Sequence, residues 1–108
     1  MLQESSVFIE FKCGCDKQQW YKVRFYSARL PTNIPFDSMP QYDGMSDLVV
    51  TNYSAHISSF VMSGNARFRR MHDVDFEKII RSKFPLVKTV LWERHKGGEC
   101  IKIMRNLD

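Results

Sequence analysis

The stretch that most constrains this chain is its last quarter. After Phe84 it reads PLVKTVLWERHKGGECIKIMRNLD. Two apolar-rich runs flank Gly97-Gly98, and a tight two-residue turn needs positive φ at both central positions, which a Gly-Gly pair adopts freely. The pattern predicts a β-hairpin over about 86–105, with strands near 86–96 and 99–105. A tight register sets Lys96 opposite Glu99, His95 opposite Cys100, Arg94 opposite Ile101, Glu93 opposite Lys102 and Trp92 opposite Ile103. Opposite charges and an aromatic–β-branched pair then face each other, each pair contributing about 0.2–1 kcal/mol.

A second hairpin is predicted over about 6–29. In residues 6–13, Val7, Ile9, Phe11 and Cys13 alternate with Phe8, Glu10 and Lys12, the period of a half-buried strand. In WYKVRFYSAR, Tyr21, Val23 and Phe25 fall on one face and Trp20, Lys22, Arg24 and Tyr26 on the other. The polar stretch from Gly14 to Gln19 is read as the turn between them.

Between the hairpins the expectation is mainly helical. Residues 31–45 hold Pro31, Pro35, Pro40 and Gly44, which disfavour regular structure and predict a Pro-rich loop. In 46–62, Ser46 suits an N-cap and Asp47 the first turn, with Val49, Tyr53, Ile57 (or His56), Phe60 and Val61 at helical spacing. The competing reading makes two strands of LVVTNY and HISSFVM, on their β-branched content. A second helix is expected over about 74–83, capped by Asp73 or Asp75, with Phe76, Ile79, Ile80 and Lys83 on its inner face and Phe84-Pro85 as its stop. The predicted fold is one α+β domain over 1–108, two antiparallel hairpins flanking a helical middle in the order ββ-α-α-ββ.

Composition narrows the function classes. Net charge is +4, with eleven Lys and Arg against six acids in residues 55–108 and five against six in residues 1–54. Basic charge gathered in one half favours a polyanionic partner. No run approaches the roughly 18 consecutive apolar residues of a membrane span, so no membrane partner is expected. The start of the chain, MLQESSVFIEFK, lacks the basic and apolar regions of a signal peptide, so a cytoplasmic location is expected.

Three residue groups are candidates for chemistry. Cys13 and Cys15 with His95 and Cys100 make a Cys₃His set, a legitimate ligand set for structural zinc if both hairpin tips lie side by side, although Cys-x-Cys is tighter than usual ligand spacing. Trp20, Lys22, Arg24 and Tyr26 place aromatics among cations on one sheet face, where bases stack and cations follow phosphates. Arg67, Arg69 and Arg70 surround Phe68 and offer bidentate phosphate contacts, although Asp73, Asp75 and Glu77 follow closely.

The expected function is therefore binding of nucleic acid, RNA or single-stranded DNA, through the Trp20–Tyr26 face and the Arg67–Arg70 cluster. The alternative is a protein-binding adaptor or inhibitor, docking through the apolar residues of the 31–45 loop. A third reading is a small ribonuclease, with His95 as general base beside Lys96 or Arg94. A helix followed by a hairpin with His near its turn, over 74–104, resembles the small HicA-type ribonuclease toxins. The stretch lacks their Gly-Ser/Thr-His run, and the likeness assigns no family.

Overall fold

The structure, a computed structural model, describes residues 3–64, 66–96 and 98–107, with the main chain alone at 94–96. Strand β1 spans Glu4–Cys15, β2 Gln18–Pro31, β3 Gly44–Val50 and β4 Ser54–Met62. Helix α1 spans Arg70–Lys83, and β5 (Thr89–Lys96) and β6 (Glu99–Asn106) follow it. The six strands form one sheet in sequence order, β1-β2-β3-β4-β5-β6. Neighbours are antiparallel except β4 and β5, which are parallel. A parallel pair needs a long crossover, and α1 supplies it.

The expected order ββ-α-α-ββ is wrong. Residues 46–62 form β3 and β4, and α1 is the single α-helix among the described residues. Burial in β3 alternates with period 2: Gly44, Ser46, Leu48 and Val50 are buried, and Met45, Asp47 and Val49 are half-buried. Two of the inward positions hold small residues that carry no apolar signal, which hid the strand period. Gly44 is small by necessity, because a Cβ there would collide with the Met62 side chain and lie 2.9 Å from the Val61 carbonyl oxygen. In β4 the register shifts at Ser59, whose φ is 54°. This bulge turns Phe60 to the inner face, where its ring meets that of Phe25 at 5.0 Å.

Both terminal elements are paired as expected. β5 and β6 match from Trp92↔Ile103 to Lys96↔Glu99 in the anticipated register. Gly98 has φ 81°, and Gly97 lies outside the described residues. β1 and β2 pair from Val7↔Phe25 to Phe11↔Tyr21, with both strands longer than expected and the turn reduced to Asp16-Lys17.

The helix packs on one face of the sheet. Phe76 and Ile80 meet Val23, Phe25, Leu48 and Ile57 in a core from which water is excluded. On the opposite face, the segment after Pro31, with a single 3-10 turn at Phe36–Ser38, folds back over Phe8 and Tyr26. Replacing Phe25 by Ala should cost about 3–5 kcal/mol, the range for a fully buried Phe whose cavity cannot close. Urea unfolding of wild type and F25A checks this.

Candidate functional site

The region around the start of α1 is set by a break in the sheet. Between Ser5↔Leu30 and Val7↔Phe25 the β1–β2 register slips, so the ladder around Ser6 and Tyr26 is interrupted. Two helix side chains occupy that break. Nε2 of buried His72 lies 2.7 Å from the Tyr26 carbonyl oxygen, while its Nδ1 accepts the Arg69 amide at 2.9 Å. An acceptor at Nδ1 requires the proton on Nε2, so His72 donates to Tyr26. The carboxylate of buried Asp75 accepts from the Ser6 amide at 2.8 Å and the Ser6 hydroxyl at 2.7 Å. It also receives both arms of the Arg29 guanidinium at 3.1 Å. Burial works against the charge on Asp75, but the bonds from Arg29 and Ser6 outweigh it and hold the carboxyl below its ordinary pKa.

These contacts settle how α1 begins. The expected caps, Asp73 and Asp75, do not cap it: the N-cap is Arg69, and His72 bonds back to the Arg69 amide as a capping-box partner. Both acids are spoken for elsewhere, Asp75 by Arg29 and Asp73 by Arg105 at 2.8 Å. Arg67, Arg69 and Arg70 are exposed, and none of them joins an ion pair among the described residues. Farther along the helix Lys78, Arg81 and Lys83 are also exposed, with Glu77 3.9 Å from Arg81.

The second expected group lies on the other side of the sheet. Trp20 is exposed. Lys22 is bound to Asp47 at 2.7 Å, and the Arg24 guanidinium sits 4.9 Å from the Phe36 ring centre and 5.6 Å from that of Tyr42. Tyr26 is 3% exposed, and its hydroxyl donates to the Pro40 carbonyl at 3.2 Å. Tyr26 is thus a packing residue and has no free face on which a base could stack. The same contacts bring the 31–45 loop onto the sheet: Ile34, Phe36 and Met39 are half-buried, and Tyr42 remains exposed. The two basic groups therefore face opposite sides of the sheet and do not form one continuous surface.

The four metal candidates do not meet either. Cys13 and Cys15 end β1, whereas His95 and Cys100 pair at the tip of the β5–β6 hairpin. β1 and β6 are the two sheet edges, five strand spacings or roughly 24 Å apart. β1 and β5 also run in opposite directions, so the two tips lie at opposite ends of the sheet. Among the described residues no three His, Cys, Asp or Glu side chains gather as a metal site. Sequence reading missed the polar pair His72 and Asp75. Their spacing of three on a helix was the available signal, but it reads as surface until the sheet break is known.

The Asp75 network makes stability pH-dependent. Its folded pKa is below the unfolded one, so its contribution is complete above the unfolded value and is lost as pH falls through the folded value. The stability gap between wild type and Asp75→Asn should therefore be large at neutral pH and narrow below pH of about 4. Urea midpoints of both proteins across that range test it, and a constant gap would contradict the assignment.

Comparison with protein-family models, with curated proteins and with solved structures returns no match, so a functional reading of this chain rests on its geometry.

Proposed function

We propose that this protein binds nucleic acid, RNA or single-stranded DNA, with the helix side of the sheet as its phosphate-contacting surface. The observation that carries the reading is the sorting of charge around α1. Asp73 and Asp75, the acids nearest the arginine cluster, are bound by Arg105 and Arg29. Arg67, Arg69 and Arg70 are left exposed and join no ion pair among the described residues, and Lys78, Arg81 and Lys83 extend the basic surface along the helix. Guanidinium groups bind phosphate through paired donors, and such contacts release counterions from the strand. Recognition of this kind reads backbone charge more than base identity.

Trp20 and Arg24, on the opposite face, stand outside this surface. A second reading attaches to them: Trp20, Val49, Leu91 and Met104 form a cross-strand row with His56 on the face that α1 leaves uncovered. Apolar rows of this kind serve protein contacts. Catalysis has no assembled side-chain set among the described residues and is not proposed.

The test is fluorescence anisotropy with labelled single-stranded RNA, single-stranded DNA and duplex, each over a range of salt. Wild type should lose affinity linearly in log salt. The triple variant R67A/R69A/R70A should reduce that slope by about 2, from three phosphate contacts at about 0.7 each on single strands. Trp20→Ala should leave the slope unchanged. Absence of binding at low salt, or an unchanged slope in the triple variant, would refute the reading.

A further inference from the structure

We infer that β6 is a self-association edge, pairing antiparallel with β6 of a second copy to form a continuous twelve-stranded sheet. The two sheet edges differ sharply. β1 is broken twice, between Ser5 and Val7 and between Phe11 and Cys13, and Glu10 and Lys12 form an ion pair along it. Bulges and charges of this kind blunt an edge against further pairing. β6 has none of these breaks: its eight residues pair with β5 without a shift, it contains no proline, and all eight are exposed. Ile101, Ile103 and Met104 are 40%, 45% and 69% exposed on it.

The main chain of β6 is ready to pair. The Leu107 amide donates to the Lys88 carbonyl at 2.8 Å, so odd-numbered residues of this strand point toward β5. Alternation then turns the N–H and C=O groups of Cys100, Lys102, Met104 and Asn106 outward, where no strand among the described residues meets them.

The side chains favour a second copy as the occupant. An antiparallel register centred on Lys102 sets Ile101 opposite Ile103 of the second copy, and Ile103 opposite its Ile101. Glu99 then faces Arg105 of the second copy, again twice by symmetry, and Cys100 faces its Met104. Each position meets a partner of fitting chemistry except Lys102, which meets itself but already leans to Glu93, 3.7 Å away on β5. Centring on Ile103 instead would set Ile101 against Arg105 and lose both charge pairs.

The inner side of this edge adds a second reason. A groove of about 180 Å³, lined by Phe60, Phe68, Trp92 and Ile103 with the Asp73–Arg105 pair at its side, lies between the start of α1 and β6. In the Lys102-centred register, Ile101 of the second copy lands next to Ile103 and extends this apolar floor. The twofold axis is perpendicular to the sheet, so both helices lie on one side, and two arginine clusters face the same way. The association stands independently of what those clusters bind.

Sedimentation velocity over a wide concentration range should show wild type as a monomer–dimer equilibrium. Lys102→Pro removes an outward amide without touching the β5 ladder, and should sediment as monomer. Ile101→Glu, at an exposed position facing Arg94 within its own hairpin, should also be monomeric and keep the wild-type melting temperature at low concentration. In a background with Cys13, Cys15 and Cys100 changed to Ser, the I101C/I103C variant should form an intermolecular disulfide on mild oxidation. A wild type that stays monomeric throughout, dimers unaffected by both K102P and I101E, or efficient cross-linking of I103C alone, would each overturn the proposal.

Discussion

The rest of the structure depends on one mismatch and its repair. Where β1 and β2 slip out of register, Ser6 and Tyr26 lose regular ladder partners. An unpaired buried amide or carbonyl costs about 1–3 kcal/mol, so such a break persists only if something fills it. His72 and Asp75 fill it, one turn apart on α1, the first by donating to the Tyr26 carbonyl and the second by accepting from Ser6. The helix is thereby fastened to the β1–β2 hairpin by polar bonds at its start and by Phe76 and Ile80 in the core beyond. His72 also receives the Arg69 amide, so the same repair sets where the helix begins and where the arginines before it stand.

A single helix also limits what can be covered. Fourteen residues make a rod about 21 Å long and about 10 Å wide, against a sheet roughly 24 Å across. One face receives the helix over part of its breadth, and β6 at the far edge meets it through the Arg105–Asp73 bond. On the other face the 31–43 segment shields Phe8 and Tyr26, leaving the row from Trp20 to Met104 at the surface. The charge distribution follows from the same layout. Acids near the helix start are drawn to Arg29 and Arg105, and Arg67, Arg69 and Arg70 are exposed.

Several elements were legible because their signals are local. The β5–β6 register follows from a Gly-Gly turn and cross-strand chemistry, and the first hairpin from a clean period of two. The 46–62 segment was not legible, since the inward positions Gly44, held small by its close approach to β4, and Ser46 carry no apolar signal and leave helical spacing as the stronger pattern. The exposed state of Arg67, Arg69 and Arg70 was also unreadable, because Asp73 and Asp75 stand near them in sequence and only the fold assigns those acids to other cations. The placement of the two hairpin tips that carry Cys13, Cys15, His95 and Cys100 was unreadable for a related reason. Two hairpins can each be right while their tips lie at opposite corners of a sheet.

By itself the sequence determined the two hairpins, the apolar face of the helix, its stop at Phe84-Pro85 and the excess of basic charge in the second half. Those are properties of neighbours in the chain, where period, turn chemistry and composition act over a few residues. The tertiary structure alone decided that β4 and β5 run parallel, that Asp75 is buried against Ser6 and Arg29, and that β1 and β6 are the edges of one sheet. Each of these joins groups far apart in the chain, and each is settled by which backbone groups are left without partners once the strands are in place.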